Sequence, residues 1–531
     1  MKLSFYGAAR MVTGSCFGLA VNGVKLLIDC GLRQGRDDNE ISNEYFEFNP
    51  AEVDAVIVTH AHIDHSGRIP LLKKRGFNGK IYATELTSKL LSIMLRDSAY
   101  IHEMEAQWKN QKGKRSGQDV VEPLYTIADA EAAMAHIHPL HYGTIIRIAD
   151  GVKLRFTDAG HLLGSSSVEL LLTENNETRK IVFSGDIGNL NQPIIKDPQY
   201  ISDADYVVME STYGDRDHEP PADLAAELAK VLNSTFAKGG NVIIPAFAVG
   251  RTQELLYHLR EIKEKELVTT YPHFEVYVDS PLANEATRIY SGNLSGYLDA
   301  DAERIIREGG EMINFADLRL SQTADESKAL NTDKKPKVII SASGMCEAGR
   351  IRHHLKHNLW RSECAVVFVG FQAIGTLGRT IADGAKKVKL FGEEIIVRAQ
   401  IVNLQGMSAH ADKSGLIKWI TQFTPSPKHV FVVHGEDEVS ELFAAELKSL
   451  GIKSRVPDDD EVFDLVLDRV DTYGTPIPER KKKAYRGSQV YEKLLAAGTE
   501  LLTVIEKNKG LANKELSRFT DQIKSLIDKW S

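Results

Sequence analysis

Apolar runs of three to six residues recur through the first 213 positions, and their period is that of strands rather than helices. Residues 2–6, 16–21 and 24–28 read as strands, the last two joined at Asn22-Gly23, a strong hairpin signal. Further strands are expected at 54–58, 81–83, 144–148, 153–157, 167–172, 180–183 and 206–209. A helix is expected over 87–96. Residues 97–142 read as mixed and partly helical, with a mobile Lys- and Gly-rich loop at 109–118. From about 214 the rhythm changes to alternating helices and strands. Helices are expected at 222–237, 253–263, 286–290, 302–308 and 347–357, and strands at 241–244, 275–278, 337–340 and 365–369, as in a parallel α/β block. After 395 the first pattern returns, with strands at 395–401, 429–433 and 461–465 and helices at 416–423 and 438–450. The reading is one domain split into 1–213 and 396–468, a second inserted at 214–395, and a helical extension over 469–531. In that tail Val490, Leu494, Ala497, Leu501 and Ile505 keep helical spacing, as do Phe519, Ile523 and Ile527.

Composition narrows the class. Hydrophobic residues make up 43% of the 531 and charged residues 26%, the balance of a globular protein with more than one core. No apolar run is long enough for a membrane span, and the N-terminus enters a strand without a signal-peptide layout. Cys16, Cys30, Cys346 and Cys364 are scattered, which suits the reducing cytoplasm and leaves histidines as the metal ligands to look for. The net charge of −8 argues against holding a polyanion by global attraction. Basic clusters at 109–115, 334–335, 350–356 and 480–483 read first as solvated faces.

The candidate chemistry lies where strands stop. Asp29, His60, His161, Asp186 and Glu210 each follow an apolar run directly. One such residue could be a turn former; five in series argue for a shared site. The densest stretch is His60-Ala61-His62-Ile63-Asp64-His65. In extended chain, residues two apart point the same way, so His60 and His62 can grip one ion, while Asp64 and His65 are free to face a second. Imidazoles mixed with a carboxylate suit zinc, with manganese as the alternative.

Together these residues resemble the metallo-β-lactamase fold, and more narrowly its β-CASP branch of nucleic-acid nucleases. The superfamily signatures match Asp29, His60-x-His62-x-Asp64-His65, His161 and Asp186; those of the branch match Glu210, His410 within Ser408-Ala409-His410-Ala411-Asp412, and His434. The resemblance covers residues 1 to about 465. It implies an αββα sandwich with an inserted α/β domain, and two Zn2+ ions. His60, His62 and His161 would bind the first ion, Asp64, His65 and His434 the second, and Asp186 both, since a bridge needs a carboxylate. Two such cations can activate a hydroxide for in-line attack at phosphorus. Asp29 would fix a ligand histidine. His410, with no metal to bind, would protonate the departing oxygen, held by Glu210. Ser343-Gly344 and Arg251, each between a strand and a helix of the insert, are candidates for phosphate contact at a helix N-terminus. Arg350 and Arg352 read as helix surface.

The function implied is a metal-dependent ribonuclease, cutting internally, from the 5′ end, or both. Its RNA would lie between the two domains, with no membrane involved and subunit number open, a homodimer included. A small-molecule hydrolase of the same fold would need neither the insert nor the His410–Glu210 pair. A DNA nuclease is the other alternative, although members of that kind carry valine at the position of His434.

Overall fold

The computed structural model describes residues 1–475, 498, 501–510 and 512–530, apart from 36, 39–40, 115–118, 220–222, 371, 374, 405 and 407. The chain forms two compact units, Met1–Thr475 and Pro476–Ser531.

Two sheets face each other in the first unit. One has eight strands in the order Arg469–Thr472, Val462–Asp464, Lys2–Gly7, Cys16–Val21, Val24–Ile28, Ala55–Ile57, Lys80–Thr84 and Ile137–Leu140. The other has seven: Ser454–Arg455, His429–Val433, Tyr206–Glu210, Glu177–Phe183, Ser166–Glu174, Val152–Asp158 and Ile146–Ala149. Side-chain alternation explains the layering. Ile181, Phe183, Val208, Phe431 and Val433 point into the core shared with Phe5, Phe17 and Leu19 of the first sheet. Their neighbours Val182, Val207, Met209, Val430 and Val432 point outward onto Leu416, Trp419 and Phe443 of the helices Lys413–Ile420 and Asp437–Ser449. Strands buried on both faces read as unbroken apolar runs, which is how the sequence shows them. The helix Glu85–Gly113 covers the outer face of the first sheet through Leu90, Leu91 and Met94. The architecture is an αββα sandwich.

The insert carries a six-stranded parallel sheet, ordered Leu318–Leu320, Glu275–Val278, Lys337–Ser341, Val242–Pro245, Ala365–Phe368 and Gln400–Asn403. One apolar core runs from the sandwich helix at Leu90 and Met94 into Ala283 and Tyr290 of the insert, so the two parts share buried surface.

Three expectations change. The helix expected at 87–96 runs on through Gly113, started by Thr84, whose hydroxyl accepts from the Thr87 N–H at 3.2 Å. Residues 109–113 are therefore helix rather than loop. The strand expected at 395–401 is two: Glu393–Ile396 closes a hairpin with Lys387–Leu390, and Gln400–Asn403 edges the inserted sheet. Between them Arg398 and Ala399 both give their N–H to Leu359 O, which turns the chain from one sheet to the other. The helix expected from 347 begins at Ile351.

In the second unit, residues 501–507 are helical and include Leu501 and Ile505, and a helix spans Asn513–Trp530. Val490, Leu494 and Ala497, and the basic run 480–483, lie outside the described residues. No helix among the described residues is long and apolar enough to cross a membrane.

Candidate metal centre

Strand ends carry the site. In the seven-stranded sheet Glu177–Phe183, Tyr206–Glu210 and His429–Val433 run parallel, with Val207 beside Val182 and Val430. Their carboxyl ends therefore lie together, and Asp186, Glu210 and His434 gather there. The same edge of the other sheet supplies Asp29 and the turn 60–65. Asp29 and His434 both take positive φ, 60° and 49°, a conformation most side chains avoid and one that clusters at functional sites.

His60, His62, His161 and Asp186 converge on one point. His60 Nε2 lies 3.0 Å from His62 Nδ1, and His161 Nε2 lies 3.2 Å from the same atom. Asp186 Oδ2 is 3.4 Å from His60 Nε2 and 3.5 Å from His161 Nε2. Burial, before any neighbouring charge, lowers the pKa of all three histidines, so each presents a lone pair. Lone pairs repel at this separation unless a cation lies between them. Tetrahedral zinc with bonds of about 2.0 Å sets its ligand atoms about 3.3 Å apart, so this set fits it.

Asp64, His65 and His434 form a second group within ligating distance of one another. His434 Nε2 is 3.6 Å from Asp64 Oδ2 and 3.7 Å from Asp186 Oδ1; His65 Nε2 is 3.1 Å from Asp186 Oδ1. Asp186 Oδ1 and His434 Nε2 are buried with no hydrogen-bond partner, a costly arrangement for a protein left to itself. Burial opposes the charge on Asp64, but His434 and His65 outweigh it and bring the carboxyl to about 2. His410 Nδ1 stands 3.2 Å from Glu210 Oε2, and its Nε2 stands 4.0 Å from Asp186 Oδ2. Burial works against the charged form of His410, yet Glu210, Asp186 and Asp64 prevail and raise it to about 9.

Three family models match the chain in succession: the metallo-beta-lactamase superfamily over residues 12–223, the Beta-Casp domain over 252–381, and the Zn-dependent metallo-hydrolase RNA specificity domain over 394–457. The ribonuclease TTHA0252 of Thermus thermophilus is 38% identical over 82% of this chain and 94% of its own length. The chain belongs to the β-CASP family of the metallo-β-lactamase superfamily. It is a metal-dependent hydrolase. An RNase J-like protein of Methanocaldococcus jannaschii is 32% identical over 86% of the chain and 97% of its own length. The transcription termination factor FttA of the same organism is 32% identical over 85% of the chain and 69% of its own length.

In this β-CASP protein the outer nitrogen of each of four histidines is tied, which fixes the tautomer that bares the inner one. His65 Nδ1 gives its proton to Asp29 Oδ2 at 2.8 Å. Asp29 also accepts from Thr59 N and Thr59 Oγ1, both at 2.8 Å, so that hydroxyl is left to accept from His60 Nδ1 at 3.1 Å. His161 Nδ1 donates to Ala409 O at 3.2 Å. His434 Nδ1 donates to Thr212 Oγ1 at 3.0 Å, while Thr212 Oγ1 donates to His434 O. Thr59, Thr212 and the Ala409 carbonyl were not among the residues expected. Position beside a ligand motif was the only signal for the threonines, and a backbone carbonyl leaves none. The loop of His410 is also clamped: His218 Nε2 donates to His410 O at 3.0 Å and Ala411 N donates to Ile187 O at 2.8 Å.

The expected phosphate contacts lie differently. Ser343 and Gly344 sit in the loop 342–350, with no helix starting beside them; Ser343 Oγ accepts from Glu347 N and Gly344 O from Gln372 Nε2. Arg251 does open the helix Arg251–Glu264, but its guanidinium is paired with Glu254. The turn before it is closer to the site: a Cβ on Gly250 would stand 3.0 Å from Leu162, next to His161. Arg350 is not plain surface either. It reaches Asp279, whose side chain is wholly buried, at 2.7 Å.

Proposed function

We propose that this protein is a ribonuclease that hydrolyses phosphodiester bonds of unpaired RNA with two zinc ions. The carrying observation is the His410–Glu210 pair, 3.2 Å apart, beside two convergent donor groups, with Asp186 a member of the first and its Oδ1 3.1 Å and 3.7 Å from His65 and His434 of the second. His60, His62, His161 and Asp186 would hold one ion, and Asp64, His65, His434 and Asp186 the other. Bound there, the ions would ease deprotonation of the attacking water and offset charge building on the phosphate. The chain does the rest. Glu210 accepts a hydrogen bond from His410 Nδ1–H, orients the ring and favours its charged form; Nε2 then carries a proton for the 3′ oxygen as it departs. Asp29, Thr59, Thr212 and the Ala409 carbonyl hold the ligand rings in position.

The names of the relatives support RNA as the substrate, and the match to an RNA specificity domain points the same way. Residues 214–395 would form the far wall of the RNA cleft, whether the cut is internal or from the 5′ end, and the cytoplasm, where RNA is abundant, would be the working compartment. The test is cleavage of a single-stranded RNA by purified protein, stripped with chelator and reloaded with zinc or manganese. The expected products carry a 5′-phosphate and a 3′-hydroxyl. No cleavage by the wild type, or the same trace in His62→Ala, rejects the reading.

A further inference from the structure

The inserted sheet gives the helix Ile351–Asn358 a defined direction. Ile351 N reaches Ala342 O, just past the carboxyl end of Lys337–Ser341, and Asn358 Oδ1 accepts from Asn241 Nδ2 ahead of Val242–Pro245. The carboxyl edge is the one whose Gly250 turn rests on Leu162 beside His161. The helix therefore leads from the edge at the metal centre to the opposite edge.

Its outer face is built of flat rings. His353 and His357, four apart, share one side of the helix, and Trp360 follows in the turn just past its end; all three are exposed, Trp360 by 52%. At 1.5 Å per residue the two imidazoles are stepped by about 6 Å along the axis. Phe391 joins them from the hairpin Lys387–Leu390/Glu393–Ile396, its ring 4.4 Å from that of His353 at 23°, with the Arg352 guanidinium 5.1 Å from its centre. Phe391 has φ 51° and Gly392 φ 86°, the two-residue turn that asparagine or glycine fits with least strain. A bulky ring held there and still 48% exposed is kept at a conformational cost.

Charge selects the occupant. Residues 348–362 hold four cations; Arg350, Lys356 and Arg361 are paired with Asp279, Glu393 and Glu363, and Arg352 lies against the Phe391 ring, in a chain whose net charge is −8. Burial and the neighbouring cations lower the pKa of both His353 and His357, so at neutral pH they offer uncharged ring faces. Stacking faces with the Arg352 guanidinium beside them suit a polyanion with exposed bases.

We propose that Phe391, His353, His357 and Trp360 form a stacking track for unpaired RNA that extends beyond the catalytic cleft, with Arg352 facing its phosphates. The track rests on the ribonuclease reading and adds to it a second binding surface on the insert. A short RNA confined to the cleft would not touch it; a longer one would.

The test uses full-length, metal-loaded protein and fluorescein-labelled phosphorothioate oligouridines of about 20 and about 4 nucleotides, followed by anisotropy. Trp360→Ala and Phe391→Ala should each weaken the longer probe by about 10-fold and leave the shorter unchanged, while Trp360→Phe stays within about 2-fold of wild type. Melting curves establish that the variants are folded, and Trp360, the more exposed of the two, carries the test alone where Phe391→Ala is not. Wild-type affinity of Trp360→Ala for the longer probe, with the wild type active on RNA, overturns the track alone and gives this face to another kind of partner. A wild type that neither binds nor cuts RNA removes the ribonuclease reading, and the track with it.

Discussion

Asp186 in the sandwich and Asp279 in the insert hold equivalent stations. Each follows a buried apolar strand at the carboxyl edge of its sheet, and each has at least one histidine within reach. Asp279 is fully occupied. Oδ2 takes His354 Nε2 and Ser327 Oγ, both at 2.6 Å, Oδ1 takes Arg350 at 2.7 Å, and His354 spends its other nitrogen on Asn331 at 3.0 Å. Asp186 faces five histidines, yet Oδ1 has no hydrogen-bond partner, and neither does His434 Nε2. A buried Asp–His contact is therefore no sign of chemistry by itself. The sign is what the contact leaves unsatisfied, and by that measure one network closes on itself while the other points at something absent from the polypeptide.

Substitutions should separate the two. Asp186→Asn replaces one oxygen of the carboxylate that stands between both donor sets with an amide nitrogen, and RNA cleavage should fall by at least about 10⁴-fold while the melting curve stays cooperative. Activity above about one per cent of wild type would break the contrast. His410→Ala should lower kcat by about 10²- to 10⁴-fold with bound metal retained. The same variant sharpens the pH dependence. An acid that must be protonated is lost as pH rises through its pKa, so the wild-type rate should fall on the alkaline side. Glu210 holds that limb above the ordinary 6.5, and cations offsetting Asp186 and Asp64 would bring it below 9. In His410→Ala the limb should vanish from the pH–rate profile. Asp279→Ala should act on stability instead, costing about 3–5 kcal/mol in denaturant titrations because His354 and Arg350 lose their buried partner. Its kcat per folded molecule should match wild type; a drop like that of His410→Ala would place Asp279 in the chemistry. The smallest effect is expected from Thr212→Val, which frees His434 Nδ1 and should weaken metal binding by about 10- to 100-fold in a competition with a chromophoric chelator.

The parts of this organisation that could be read in the sequence are those where a side-chain period and a strand end coincide. The runs before Asp29, His60, His161, Asp186 and Glu210 have strand period, and these five residues follow them. His410 follows no strand, and only family resemblance singled it out. What was misread is governed by partners remote in sequence. Gln400–Asn403 is polar at both ends and is a strand because Ala365–Phe368 lies beside it. Arg350 looks like any basic residue on a helix until Asp279, 71 positions earlier, meets it. Ser343-Gly344 looked like an anion turn because the helix was placed four residues too early, at 347 instead of Ile351.

The pairing of Tyr206–Glu210 with His429–Val433 spans the whole insert, and this has a bearing on synthesis. A chain growing from its N-terminus acquires His60, His62, His161 and Asp186 early. It has neither His410 nor His434 until the ribosome has passed the insert, and until then the strand ending in Glu210 has an empty flank. A half-made protein is thus a carrier of histidines without an acid to finish a cut. An enzyme proposed to destroy RNA would be born beside its own message, and the order of its strands would keep it harmless there until His410 and His434 have been made.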